Sequence, residues 1–409
     1  MTTSPETHGG AAPSTGGAAG TAPDPVIPDL LPGEAEQDLR TTVRAVLAER
    51  APLSATLARC ECAEPYDPAL WRVLARDVGC AGLAIPAKLG GADASWREVA
   101  VVAEELGRAV APTPFLGSAA IATAALLALR ASSPAGSSAD TETEIVDTLA
   151  ALGEGTSVAA LAVSFAAMPG GPFPTSVHAD ASGRLAGTVA SVADASTANT
   201  LLLPVRTTDG APALYAVDHP GPGVTLSPVT SLDLTRPLSD IVLESAPARL
   251  LTTGEHAQTT LHRALAVGAG ILAAEQLGIA EACLEMTVGY LKTRRQFGRL
   301  IGSYQALKHR AADLWSSVAQ ARAVARYAAV CLATGSPDTP QAVAIAQAYC
   351  SGVAVRAAEE CVQLHGGIGF TWEHPAHLYL KRAKADALAL GTAQKHRAVL
   401  GDLVGLALA

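Results

Sequence analysis

The stretch YLKTRRQFGRLIGSYQ, residues 290–305, separates two long helical patterns and decides how the second half of the chain is built. Before it, Leu261, Leu265, Gly268, Leu272, Glu275, Ile279, Met286 and Tyr290 trace one stripe of a long helix, which ends before Gly298. After it, the same periodicity predicts helices from about Ser303 to Ala333, from about Pro340 to Leu364, and from about Pro375 to the C-terminus. Four long antiparallel helices make a bundle, assigned to residues 251–409.

Toward the N-terminus the pattern changes. Short runs rich in Val, Leu and Thr fill Ser157 to Leu251: Val158 to Val163, Leu185 to Val192, Leu201 to Val205, Leu214 to Val217, Val224 to Leu226 and Ile241 to Leu243. Turn residues punctuate them, which predicts a middle antiparallel β domain over residues 156–250. Upstream, residues 34–155 read as an N-terminal all-α domain. Its helices are expected from Glu34 to about Arg50, from near Pro68 to the Gly79–Gly82 region, from about Ser95 to Gly107, and along the buried, Ala-rich run Ser118 to Leu129. The first 33 residues are rich in Gly, Ala, Pro, Ser and Thr and read as a disordered leader. The expected fold class is α+β.

Composition narrows the function. With 29 Lys+Arg against 38 Asp+Glu the formal charge is -9, which argues against a nucleic-acid binder or a binder of anionic membranes. No apolar run approaches the roughly 20 residues needed to span a bilayer, so membrane insertion is not expected. Hydrophobic residues make up 49% of the chain and aromatics 4%, so the core must come from Ala, Leu and Val in closely packed helices. Seven scattered cysteines fit reduced thiols and a cytoplasmic location. Cys60 and Cys62 form a C-x-C without a second pair at metal spacing, so no metal is expected.

Residues 290–305 closely resemble the Y-x-x-x-R-x-Q-F-G-x-P-I-G-x-F-Q signature of acyl-CoA dehydrogenases. Gln363 to Pro375, QLHGGIGFTWEHP, resembles that family's Q-x-x-G-G-x-G-[FY]-x-x-E-x-P. Gly82 to Pro86, Gly90, Gly91 and the run Glu104 to Arg108 resemble its G-L-x-x-P-E-x-x-G-G and E-E-L-G-R, with Ala87 where a Glu is usual. GVTLSP and LDLTRP, at Gly223 to Pro228 and Leu232 to Pro237, fit its middle domain. The resemblance runs from Glu34 to the end of the chain. It implies the acyl-CoA dehydrogenase fold, FAD as cofactor and an acyl-CoA or other acyl thioester as substrate. By the same resemblance Arg294, Gln296, Phe297 and Gln305 hold the pyrophosphate and adenine side of FAD, and Gln363, Gly366, Gly367, Thr392 and Gln394 add further contacts. The chemistry of the residues agrees: Arg294 offers a planar fork for a pyrophosphate oxygen, and glycines let backbone approach a bulky anion.

Two departures are informative. The family removes an α-proton with a carboxylate, because a weakly acidic C–H needs an ionisable base at close range. That position holds Leu390 here, and the alternative position on the first bundle helix holds Gly268. Glu275 lies on the same stripe, about 10 Å further along by helix rise, and reads better as a buried, paired acid of the bundle than as a displaced base. His365 and His374 read as loop-structuring residues. The T-E-P-x-x-G-S-D loop that meets the flavin ring is replaced by Met168 to Pro172, and the W-x-T segment by Ser191, Val192 and Ala193.

The tail half of the site is therefore kept and the ring half is not. The chain resembles the base-lacking subunit of actinobacterial heterotetrameric acyl-CoA dehydrogenases, which implies a homologous partner subunit carrying the catalytic Glu, or else a self-assembly. Two other readings remain open: a single-chain flavin oxidase or oxygenase of the same fold, and a non-catalytic binding protein.

Overall fold

The computed structural model describes residues 29–62, 66–131 and 139–406. Most of the stretch read as a leader lies outside them. Its last residues are tied down, for Arg97 donates to the carbonyl oxygens of Asp29 and Leu31.

The helical front opens with α1 (Glu34–Arg50), α2 (Leu53–Arg59) and α3 (Pro68–Arg72), the last continuing into a π-helical turn over Val73–Asp77. The helix α4 (Trp96–Ala109) starts where its chemistry dictates: the Ser95 hydroxyl accepts from the Arg97 N–H while Glu98 reaches back to the Ser95 N–H. A π-helical stretch, Phe115–Ala122, leads into α5 (Thr123–Ala131), and α6 (Ala139–Gly153) closes the front. The short α2 and the α6 helix were not visible in the periodicity.

The strands are β1 (Ala159–Leu161), β2 (Val177–Ala179), β3 (Leu185–Ala193), β4 (Thr200–Arg206), β5 (Pro212–Asp218), β6 (Val224–Val229), β7 (Leu238–Ala246) and β8 (Arg249–Thr253). They order as β6-β7-β3-β2-β4-β5-β8, with β1 also on β4. The expected antiparallel sheet is corrected in one respect, because β1 and β2 both run parallel to β4. Both are three-residue strands, too short to show alternation in sequence.

The 39-residue α7 (Glu255–Thr293) is the axis of the molecule. It contains a window apolar enough to cross a membrane, contrary to the sequence reading, yet 89% of that window is buried inside the protein. A hairpin of β9 (Arg295–Gln296) and β10 (Arg299–Leu300) turns the chain into α8 (Gln305–Thr334) and α9 (Thr339–His365). The fourth bundle helix is broken in two, α10 (Ala376–Asp386) and α11 (Ala393–Leu403), around a turn in which Leu390 has φ 51° and Gly391 φ 99°.

Close packing explains one motif. A Cβ at Gly107 would lie 2.2 Å from the Glu275 carbonyl oxygen, and one at Gly278 would lie 1.9 Å from that of Glu104. The glycine of E-E-L-G-R thus lets α4 and α7 touch backbone to backbone.

Candidate functional site

At the C-terminal ends of α7 and α9 an open cleft of about 840 Å³ forms between the hairpin turn and the glycine turn after His365. Arg294, Gln296 and Phe297 line one side, and Gln363, Gly366 and Gly367 line the other. The reason is local. The last residue of α7 is Thr293, so Arg294 falls in extended backbone (φ -72°, ψ 133°) and the chain leaves the helix there. Phe297 at the hairpin tip has φ 51° and is 90% exposed. Gly366, with φ 63°, ends α9 in a conformation that favours glycine. Gly367 is different: its φ is ordinary, and a Cβ there would meet nothing within 4 Å. Among the described residues nothing demands glycine at 367.

The charges lining this cleft are Arg294 and Arg310, with no carboxylate among the lining residues. Arg310 is 2.7 Å from Glu360, whereas the Arg294 guanidinium makes no hydrogen bond or ion pair with the described residues. A cleft of this size with a free guanidinium fork and an unencumbered glycine backbone fits the anionic end of a dinucleotide.

Three expected contacts are not part of it. Gln305 starts α8 on an exposed position outside the cleft lining, and Thr392 and Gln394 lie at the start of α11. The helix α11 packs along the N-terminal half of α9, where Arg397 donates to the Ala348 carbonyl and His396 shares a groove with Val343 and Ala344. From Ala344 to His365 the helix rise amounts to about 30 Å. One chain thus presents Thr392 and Gln394 as a cluster separate from Gln363, Gly366 and Gly367.

The two positions where the family's base was sought come together in the core. A Cβ at Gly268 would lie 2.7 Å from Ile121 Cγ1 and 3.2 Å from Leu390 Cδ1. Leu390 is 1% exposed, and its N–H donates to the Phe165 carbonyl at 2.8 Å. The Phe165 N–H in turn donates to the Ser191 carbonyl at 2.9 Å, so all three ring-side segments are stitched together. Ile121, Leu265, Phe165 and Leu390 leave a cavity of about 20 Å³ between them. That volume has room for about one water and none for an acyl chain.

Family models cover both helical parts of the chain: "Acyl-CoA dehydrogenase, N-terminal domain" matches residues 33–135 and "Acyl-CoA dehydrogenase, C-terminal domain" matches residues 259–404. The chain belongs to the acyl-CoA dehydrogenase family. It is 37% identical, over 88% of its length and 94% of the relative's, to acyl-CoA dehydrogenase IpdE2 of Mycobacterium tuberculosis. Among solved structures it is similar to a variant of the Tcur3481-Tcur3483 steroid ACAD, at TM-score 0.77 and 30% identity over 91% of this chain and 98% of that one. It is also similar to a chain of the ChsE4-ChsE5 complex of Mycobacterium tuberculosis, at TM-score 0.79 and 28% identity over 93% and 100%.

Next to the apolar plug this acyl-CoA dehydrogenase chain carries a buried charge network that sequence reasoning missed. Both nitrogen arms of Arg236 are engaged, with Glu275 at 2.6 Å and Asp386 Oδ1 at 2.6 Å. Arg382 sits 2.6 Å from Glu275 Oε1 and 2.7 Å from Asp233 Oδ2, and donates to the Thr235 carbonyl at 2.9 Å. Glu275 is thus paired, as expected, but its partners include the loop before β7 as well as the bundle. Burial pulls its carboxyl upward, and Arg236 and Arg382 outweigh burial and hold it below the ordinary range. Burial pushes Asp386 the other way, up to about 8. Tyr66 donates to Asp194, whose other oxygen accepts from the Gly117 N–H at 2.8 Å, and the Arg236 guanidinium lies 5.2 Å from the centre of the Phe165 ring. Arg382 and Asp386, four residues apart in an Ala-rich helix, were the available signal.

Proposed function

We propose that this chain is a companion subunit of an FAD-dependent acyl-CoA dehydrogenase, lending tail contacts to a flavin whose catalytic Glu stands on a homologous partner. The observation that carries the reading is the contrast between an open cleft with an unpaired Arg294 and a base position filled by Leu390 against Gly268 and Ile121. When bound, the flavin supplies the hydride acceptor for α,β-dehydrogenation. The Arg294 fork pairs with diphosphate oxygens, Gly366 and Gly367 let the main chain approach them, Gln296 and Gln363 offer amide donors, and Phe297 covers an apolar face of the nucleotide.

Thr392 and Gln394 lie at the start of α11, outside the lining of the Arg294 cleft, which supports sites shared between chains: each cluster serves a flavin that another chain completes. Similarity to complexes whose names carry two chains, Tcur3481-Tcur3483 and ChsE4-ChsE5, supports a hetero-oligomer over self-assembly. Purification alone and with a genome-adjacent paralogue, followed by flavin absorbance per chain and acyl-CoA oxidation, tests this. About one flavin for each pair of chains, and turnover only in the mixture, is the expected outcome. A lone chain that holds stoichiometric FAD and oxidises an acyl-CoA at a normal rate overturns it.

A further inference from the structure

His365 is a cleft-lining residue to which the proposed tail contacts give no part. Its Nδ1 lies 2.6 Å from the Cys361 carbonyl oxygen one helical turn back. A carbonyl only accepts, so Nδ1 must carry the hydrogen. Two rings flank it, both tilted, with the Tyr290 ring centre at 4.5 Å and the His374 ring centre at 4.4 Å. With Nδ1 committed, Nε2 is the remaining polar atom, and it has no hydrogen-bond partner among the described residues.

The groups around the ring settle its charge. From its own helix Cys361 Sγ is 3.7 Å from Nδ1. From α7 come Tyr290 and, beyond Cys361, Cys283; from the glycine turn comes His374; across the cleft stand Arg294 and the Glu360-paired Arg310. A hydrogen bond from Cys283, with His365 adding to it, brings the Cys361 thiol down to about 5. Burial opposes a charged imidazole, yet the sulfur and carbonyl of Cys361 raise His365 above its ordinary value. Burial moves His374 down, and the nearby His365 and His377 add to that shift.

We infer that His365 is a ligand-binding residue of this cleft, its Nε2–H donating to an anionic diphosphate oxygen of the bound nucleotide beside the Arg294 fork. The inference rests on the cleft being the tail site proposed above. The diphosphate is the matching acceptor because a cationic imidazole with Nδ1 tied down offers one donor and no acceptor, in a cleft lined by cations and no carboxylate. In the neutral form the Nε2 lone pair would face the phosphate and repel it. Binding and protonation of His365 are therefore linked.

ADP-ribose is a suitable probe, since its diphosphate diester does not titrate near neutrality. It is titrated calorimetrically into the flavin-free complex of the full-length chain with its co-purified paralogue, from about pH 6 to about pH 9, the range in which an elevated histidine discharges. The native complex is expected to lose about tenfold in affinity across the range, the loss of one charge-assisted hydrogen bond. His365→Gln, whose amide can still reach the Cys361 carbonyl, should bind about tenfold more weakly at the acid end and show no pH slope. Arg294→Ala should bind more weakly at every pH and keep the slope. Nitrogen-15 spectra of the native imidazole give a second readout that needs no variant: ADP-ribose should raise the pH at which Nε2 loses its proton. An unchanged slope in His365→Gln, or an Nε2 that ignores the ligand, overturns the inference and leaves the cleft reading standing. If ADP-ribose fails to bind the native complex, or binds regardless of Arg294, the cleft reading falls and this inference with it.

Discussion

The two ends of the candidate site treat charge in opposite ways. In the core, Arg236 and Arg382 are enclosed by Glu275, Asp233 and Asp386, and the neighbouring base position is packed with Leu390, Ile121 and Phe165. At the far end of α9, Arg294 stands in an open cleft without a partner among the described residues. A guanidinium taken out of water must be neutralised within the protein, so the core cations hold three parts of the chain together and have nothing left for a ligand. A cation on an open cleft keeps its hydration until a ligand replaces it. Equal residue types therefore carry unequal functions, and surroundings decide which is structural and which binds.

Substitutions that remove one side of this contrast should separate cleanly. Arg382→Ala leaves Glu275 and Asp233 short of a counter-charge in the core and should cost about 3–5 kcal/mol in chemical denaturation. A loss near zero would mean the network is not holding the domains. Leu390→Ala should cost about 2–5 kcal/mol through the cavity it leaves. Leu390→Glu should also destabilise, because it would bury a carboxylate among Ile121, Leu265 and Phe165, and should not confer acyl-CoA oxidation on the lone chain. Turnover by that variant would break the comparison at its centre.

Arg294→Ala should leave the melting temperature unchanged, since no described partner is lost, while nucleotide retention in the assembled complex falls about tenfold or more. A pH slope is also expected. Asp386 stays protonated in the fold up to about pH 8, whereas in the unfolded chain it ionises above about pH 4. Its contribution to stability is thus complete below about pH 4 and is lost as pH rises toward 8. Glu275 acts oppositely, its contribution present above its unfolded pKa and lost in acid. Urea midpoints across this range should fall on the alkaline side, and Asp386→Asn should flatten that fall while leaving the acid side in place.

Much of the architecture was legible because periodicity over long elements repeats the same instruction many times. The helices α1, α4, α7, α8 and α9 each carry several turns of apolar spacing, and Ser95 with Glu98 marks the start of α4 unaided. The short α2, β2 and β8 offer too few residues for a pattern, and the break between α10 and α11 depends on Leu390 adopting a left-handed conformation that its residue type does not announce. The cleft residues could be named from a motif, because Arg294, Gln363, Gly366 and Gly367 lie in two compact stretches that helix ends deliver to one place. Thr392 and Gln394 lie in a third stretch, and a motif states no distance to the other two.

By itself the sequence determined the order of helical, sheet and helical parts, the absence of a carboxylate at positions 390 and 268, and the presence of a guanidinium at 294. Only the tertiary structure decided that Gly268 and Leu390 face each other, that Glu275 answers to Arg236 and Arg382, and that the residues expected to contact a nucleotide fall into two clusters. The physical reason is that periodicity is a local property of the chain. Burial and charge pairing are set by segments from 39 to 150 residues apart meeting in space.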